Sequence, residues 1–279
     1  MPKIITADQR IAATGIKGQI WGRAGIGKTS LLYTLPADST LVIDFEAGLL
    51  SIQGHAVDSV PVRAWTEARD IACWIGGPNP AMRDDQCYSQ AHYQAVCEEY
   101  GPPSALDKYE TVFVDSTTIA GQLCMQWAQG QPEAFSDRTG KADMRGAYGL
   151  LGREIVAWAT HLHHTLGKNV WLVGGLEEKA DDFGRKQWLP LLDGSKASTA
   201  LPYVVDEVIT MADLKDPEGN PYRAFVCQTL NQWGFPAKDR SGRLDQIEQP
   251  HLGRLMEKIR GAAKPPSDRL TYDTPETNE

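Results

Sequence analysis

The residues that most constrain the fold are 22–29, which read Gly-Arg-Ala-Gly-Ile-Gly-Lys-Thr. This is a full match to the phosphate-binding loop G-x-x-x-x-G-K-[ST]. A strand-like run over residues 17–21 precedes it, and a helix-like run over residues 29–35 ends at Pro36. Glycines let such a loop curl so that its N–H groups face phosphates, and the following helix adds its positive end. The motif therefore predicts an α/β fold that binds a nucleoside triphosphate.

Within this loop, residue type predicts each role. Lys28 can reach the β- and γ-phosphates, and the hydroxyl of Thr29 can bind Mg²⁺. We therefore expect ATP and Mg²⁺ as cofactors. The predicted nucleotide-binding residues are Gly22, Arg23, Ala24, Gly25, Ile26, Gly27, Lys28, Thr29 and Ser30.

A second motif lies at residues 111–116, Thr-Val-Phe-Val-Asp-Ser. A buried parallel strand that ends in aspartate is typical of the Walker B position, where the carboxylate holds Mg²⁺, usually through water. Asp115 is therefore predicted as a magnesium ligand together with Thr29. Ser116 follows it, whereas AAA+ proteins normally carry their water-orienting glutamate there, so the pattern disfavours that class.

A third candidate follows the strand over residues 41–45. That strand ends in Asp44-Phe45-Glu46, which would place the Glu46 carboxylate in the crevice at the carboxyl edge of the sheet. Glu46 is the candidate group for orienting the attacking water. The alternative is that Asp44 and Glu46 only cap a strand end in solvent.

The phosphate-binding loop, Val-Ile-Asp-Phe-Glu-Ala-Gly-Leu (42–49) and Val-Phe-Val-Asp-Ser (112–116) together resemble a RecA-like ATPase core. They resemble in particular the small phage-encoded ATP-binding proteins associated with single-strand annealing and recombination, over residues 16–244. The resemblance implies an ATPase stimulated by single-stranded DNA, with Glu46 activating water. It also implies a bacterial host cytoplasm and a single-strand-binding protein as a possible partner.

Near the carboxyl end, Lys238-Asp239-Arg240 is similar to the K-x-R motif that RecA-like ring ATPases project into a neighbouring subunit's nucleotide. On an extended segment, side chains two residues apart point the same way. The resemblance implies that Lys238 and Arg240 act catalytically in trans, alongside Lys28 and Glu46, within a homo-oligomer. The alternative is a solvated charged turn.

Strands alternate with helices along the chain, which predicts a mostly parallel sheet with helices on both faces. Two late strands, near residues 206–211 and 222–228, are joined by a tight turn and should be antiparallel. We expect an amino-terminal extension over residues 1–15 and a RecA-like ATPase domain over residues 16–262. Residues 263–279 should form a disordered acidic tail, because proline and acidic residues dominate it.

The net charge of −8 argues against binding DNA by overall charge. Residues 130–153 and 176–199 occupy the positions of DNA-contacting loops in RecA-like proteins, which implies single-stranded DNA as a partner there. Phe183 and Trp188 could stack on unpaired bases. Aromatic residues in loops also commonly pack on their own domain. Gly174-Gly175 stands where bacterial RecA carries a glutamine sensor.

No run of residues approaches the length of a membrane span, so we expect no membrane partner. The five cysteines include no C-x-x-C pair, which favours reduced thiols and a cytoplasmic location. Two other functions remain open. One is a small-molecule or nucleotide kinase, although no arginine-rich lid is evident. The other is a non-catalytic scaffold or loader that depends on ATP binding.

Overall fold

The computed structural model describes residues 4–136, 138–180, 184 and 186–262, without the side chains of residues 7, 8 and 12. The predicted tail, residues 263–279, lies outside these described residues. So do Phe183, one of the two aromatic candidates for base stacking, and Asp137, Asp181, Asp182 and Arg185.

A single twisted sheet organises the described residues. Its strands are β1 Lys17–Gly22, β2 Thr40–Asp44, β3 Asp58–Pro61, β4 Thr111–Asp115, β5 Asn169–Ala180, β6 Lys186–Pro190, β7 Glu207–Lys215, β8 Pro221–Val226, β9 Lys238–Asp239 and β10 Ile247–Glu248. The order is β10-β8-β7-β1-β5-β4-β2-β3, with β6 paired to β5 and β9 to β7. The run from β7 to β3 is parallel. Strand β8 is antiparallel to both of its neighbours, β7 and β10. The predicted mostly parallel sheet with late antiparallel strands is therefore confirmed.

Helices cover both faces, as predicted. They are α1 Ala7–Thr14, α2 Trp65–Gly76, α3 Gln90–Tyr100, α4 Thr117–Gln129, α5 Met144–His163, α6 Ser195–Val204 and α7 Leu252–Arg260. Successive strand residues point to opposite faces. Val112 and Val114 of β4 therefore pack in the core beneath α2, α4 and α5, whereas Phe113 packs in the core beneath α7. The two cores lie on opposite faces of the sheet, between the strands and the helices, and so hold the carboxyl ends of the strands in place.

Two tryptophan–glycine pairs lock β1 against β5. Gly18 lies opposite Trp171 in register, and Trp21 lies opposite Gly174. A Cβ atom at Gly18 would lie 2.2 Å from the ring of Trp171, and one at Gly174 would lie 2.3 Å from the ring of Trp21. Both tryptophans are fully buried. Packing against Trp21 therefore requires glycine at position 174. This is a structural reason for the residue that stands where bacterial RecA carries a glutamine.

The segments expected to be DNA-contacting loops are partly regular structure. Within residues 176–199, β5 continues to Ala180 and pairs with β6 as an antiparallel hairpin, and α6 begins at Ser195. Within residues 130–153, α5 already begins at Met144. The segment after the phosphate-binding loop is a 3-10 helix, Thr29–Thr34. Among the described residues, no helix combines the length and apolar character needed to cross a bilayer.

Candidate nucleotide-binding site

The phosphate-binding loop leaves β1 at the centre of the sheet and leads into the 3-10 helix Thr29–Thr34. Gly25 and Gly27 have φ angles of 76° and 100°, which residues with a Cβ atom adopt only at a cost. These two glycines give the loop its curl. The geometry agrees with the reason for expecting glycine at these positions.

Lys28 folds back over its own loop. Its Nζ donates to the carbonyl oxygens of Gly22 and Arg23, each at 3.0 Å. Burial lowers the pKa of Lys28, and the nearby carboxylates of Asp115 and Glu46 oppose this shift. The ammonium group is thus held at the loop and within the field of both predicted carboxylates.

Thr29 and Asp115 meet although their strands are not neighbours, since β5 lies between β1 and β4. The Thr29 hydroxyl donates to Asp115 Oδ2 at 2.5 Å. Asp115 is only 4% exposed, and burial raises its pKa to about 6. The carboxylates of Glu46 and Asp44 raise this pKa further, while the Thr29 hydrogen bond and Lys28 oppose the rise.

The oxygen ligands of Thr29 and Asp115 fit Mg²⁺, which prefers hard oxygen donors and usually keeps phosphate and water ligands. The described residues contain no group of three or more His, Cys, Asp or Glu that could hold a metal ion by themselves. The donor set therefore suits an ion that arrives with phosphate oxygens.

Glu46 and Asp44 have different surroundings. Asp44 Oδ1 accepts the backbone N–H groups of Glu46 at 3.1 Å and Ala47 at 2.9 Å, so it shapes the turn that ends β2. Glu46 is exposed, and its Oε1 accepts a hydrogen bond from the hydroxyl of Ser116. The backbone N–H of Phe45 donates to the Asp115 carbonyl at 2.7 Å, which holds the two strand ends together. Asp44 therefore caps the end of its strand, as one alternative from the sequence expected, whereas the Glu46 carboxylate lies near Asp115.

Lys238 and Arg240 lie at the other edge of the sheet. Strand β9 pairs with β7 at Glu207, which is in register with Gly18 near the start of β1. The phosphate-binding loop begins at Gly22, at the opposite end of β1. Lys238 Nζ donates to the carbonyls of Pro202 at 3.0 Å and Val205 at 2.5 Å, at the end of α6. Arg240 pairs with Asp206 at 2.6 Å. The structure does not bring this pair to the chain's own phosphate loop, so a role in trans stays a prediction.

Comparison with known proteins places the chain. A family model described as an AAA domain (AAA_24) matches residues 14–241. The chain belongs to the AAA domain family. The sequence pattern disfavoured the AAA+ class because Ser116, and not glutamate, follows Asp115. The family model matches although Ser116 stands there, so this residue alone does not exclude an AAA domain. The match supports the predicted P-loop ATPase class.

One solved structure that resembles this AAA domain is titled the crystal structure of the RadB recombinase. The TM-score is 0.36 with 14% sequence identity, and the similarity covers 77% of this chain and 80% of that chain. At that level the likeness carries no inference about function. No curated protein matches the chain.

At the phosphate loop of the AAA domain, Arg23 contacts a residue of the β5–β6 hairpin. The Arg23 guanidinium lies over the ring of Trp188 on β6, 4.7 Å from its centroid. Phe235 packs against the same ring at a centroid distance of 5.3 Å. Trp188 is thus partly buried against its own chain, which favours intramolecular packing over base stacking in this conformation. No sequence motif pairs Arg23 with Trp188.

Proposed function

We propose that this AAA domain binds Mg-ATP and hydrolyses it as a RecA-like motor acting on single-stranded DNA. The observation that carries the proposal is the convergence of Thr29, Asp115 and Glu46 beside Lys28 at one sheet edge. The Thr29 hydroxyl and the Asp115 carboxylate are already 2.5 Å apart, and Glu46 lies on the adjacent strand end.

The chemistry follows from this arrangement. Lys28 would exchange its two carbonyl partners for oxygens of the β- and γ-phosphates. Thr29 and Asp115 would hold Mg²⁺, which neutralises charge on the phosphates when bound. Glu46, exposed and anchored by Ser116, would orient the attacking water and accept its proton. Such positioning and charge stabilisation account for most of the catalysis in phosphoryl transfer.

A homo-oligomer would complete the site. Arg240 is 57% exposed in its side chain and could leave Asp206 for a neighbour's γ-phosphate. An arginine supplied in this way accelerates hydrolysis by about 10³–10⁵-fold. Lys238 is tied to two carbonyls at the end of α6, so within the pair Arg240 is the better placed to move.

We further propose that residues 130–153 and the hairpin segment 176–199 contact single-stranded DNA during recombination, annealing or replication. The support is that α4, which leads into residues 130–153, begins directly after β4, and that β5 continues into the hairpin with β6. The carboxyl ends of β4 and β5 lie at the edge that also carries the candidate nucleotide site. The resemblance to phage-encoded recombination proteins motivates a single-strand-binding protein as partner and the bacterial cytoplasm as location.

The test is the steady-state ATPase rate over a range of protein concentrations, with and without single-stranded DNA. We expect DNA to raise turnover and the specific activity to rise steeply with concentration, because a complete site needs two chains. Lys28→Ala should abolish turnover. Equal rates with and without DNA, combined with no gel shift of the DNA, would refute the DNA-dependent function.

A further inference from the structure

Arg223 of β8 lies against the phosphate-binding loop. A Cβ atom built at Gly27 would lie 3.0 Å from Arg223 Nη1 and 3.9 Å from its Cζ. Met211 of β7 fills the space beside it, with its Cε at 3.7 Å from the same point. Gly27 directly precedes Lys28, so the guanidinium sits at the rim of the loop that would hold phosphates.

This position follows from the strand register. Gly22, where the loop begins, is in register with Met211, and Asp213 lies two residues further along β7. Asp213 is opposite Arg223 on β8. The β7–β8 hairpin thus continues past the end of β1 and forms a wall on the side of the loop away from Asp115.

Most N–H donors of the Arg223 guanidinium are not used in good hydrogen bonds within the chain. Its side chain is 55% exposed, and its Nε is 3.7 Å from Asp213 Oδ1, too long for a good hydrogen bond. Among the described residues, Asp213 is the only hydrogen-bond or salt-bridge partner of the Arg223 side chain. A guanidinium with five N–H donors, only loosely paired, is suited to bidentate contact with phosphate oxygens.

The negative charges at the site outnumber its positive ones, so a second cationic side chain would stabilise a bound triphosphate. Asp44, Glu46 and Asp115 cluster near the loop, where Lys28 lies in the field of Asp115 and Glu46, while the other cation of the loop, Arg23, lies over the ring of Trp188. A bound triphosphate adds further negative charge, which Mg²⁺ and Lys28 offset only in part. The carboxylates come from β2 and β4 on one side of β1, and Arg223 comes from β8 on the other.

We propose that Arg223 binds the phosphate chain of the nucleotide in cis, at the rim opposite the carboxylates. The proposal rests on the proposed function only in requiring that the chain bind a nucleoside triphosphate. It requires neither hydrolysis, nor DNA, nor a second subunit.

The test is equilibrium binding of ATP and of GTP to the full chain in the presence of Mg²⁺, without turnover as a readout. We expect Arg223→Gln to weaken both nucleotides by the same factor, about 10- to 100-fold, because it removes charge-assisted hydrogen bonds to phosphate. Arg223→Lys should restore part of the affinity. The matched control is Arg83→Gln, since Arg83 is also exposed and paired with an aspartate, Asp85, but lies outside the site.

Thermal unfolding of each variant separates local loss of binding from misfolding, and Arg223→Gln should unfold as the unaltered protein does. Unchanged affinity in Arg223→Gln would overturn the proposal, as would a loss for ATP alone, which would indicate a contact with the base. If the unaltered chain bound no triphosphate, the proposed function would fail as well. If it bound ATP without hydrolysing it, only the proposed function would fail.

Discussion

The hydroxyl of Thr29 and the carboxylate of Asp115 form a 2.5 Å hydrogen bond across an intervening strand. They are 86 residues apart in sequence and belong to separate motifs. Because β1, β5 and β4 run parallel, their carboxyl ends meet at one edge, and the loop after β1 arches over β5 to reach Asp115. The two motifs therefore form one site.

The first prediction concerns the pH dependence of magnesium. Burial raises the pKa of Asp115 to about 6, and only the ionised carboxylate binds the metal. Magnesium-dependent ATP binding should therefore weaken as pH falls through about 6, approaching tenfold per pH unit below it. The measurement is ATP affinity at fixed Mg²⁺ between about pH 5 and 8. Asp115→Asn should show weak binding with a shallower profile than the unaltered protein, and equal slopes in the two proteins would contradict the assignment.

The second prediction concerns Glu207, which is 1% exposed. Burial, and next the neighbouring Asp239, raise the pKa of Glu207 from 4.5 to about 8. In that window the folded state holds a proton that the unfolded state has released, so the Glu207 contribution to stability falls as pH rises. The free energy of unfolding of the unaltered protein, minus that of Glu207→Gln, should therefore decrease between about pH 5 and 8.

Chemical denaturation at several pH values measures this difference. Glu98→Gln is the control, because Glu98 is an exposed residue of α3 and its removal should leave the pH profile unchanged. A difference that rises with pH would mean that Glu207 is ionised in the folded protein.

The third prediction concerns the tryptophan–glycine pairs. Gly174→Ala places a methyl group within 2.3 Å of the buried ring of Trp21, so the sheet must shift. We expect the free energy of unfolding to fall by about 1–3 kcal/mol, the usual range for overpacking a core. Gly149→Ala is the control: Gly149 lies in α5 with nothing within 4 Å of its would-be Cβ, so the change should be neutral or stabilising. Equal effects of the two variants would show that Trp21 does not impose the glycine.

The fourth prediction separates Lys238 from Arg240. Lys238→Ala leaves the Pro202 and Val205 carbonyls without their donor, and should lower the free energy of unfolding by about 1–2 kcal/mol. Arg240→Ala removes an exposed ion pair and should cost less than about 1 kcal/mol. It should instead lower the ATPase rate by about 10³-fold or more.

A mixing experiment tests the role of Arg240 in trans. Lys28→Ala subunits cannot bind the phosphates but keep Arg240, and Arg240→Ala subunits keep their loop. Each variant alone should be inactive, and a mixture should recover part of the activity. No recovery over a range of mixing ratios would exclude a shared site.

The sequence anticipated the elements whose local signals agree with their packing. Helix α4 follows such local signals, because the Ser116 side chain caps its first turn and glycine follows its last residue. Helix α6 was not anticipated, since it follows Gly194, carries Pro202 inside and lacks a side-chain cap. The β5–β6 hairpin lies in a segment that the sequence predicts as a loop, because polar and charged residues fill its exposed ends.

Sequence motifs predicted Lys28, Thr29, Asp115 and Glu46 as candidate site residues, because each lies at or beyond the carboxyl end of a strand at the same sheet edge. Arg223, and the contact of Arg23 with Trp188, carry no such signal. They depend on the register of β8 against β7 and on the path of the hairpin, which arise only when distant segments pack. Conversely, the motif around Lys238 was visible, but its own-chain partners on α6 were not.

The most direct test of the central claim is single-turnover hydrolysis of pre-bound ATP by Glu46→Gln. We expect ATP affinity to be retained while the rate of hydrolysis falls by about 10²-fold or more, because the variant loses the group that orients and deprotonates water. Ser116→Ala should cause a smaller loss, since it only frees the Glu46 side chain. Hydrolysis by Glu46→Gln at the rate of the unaltered protein would show that Glu46 does not activate the water.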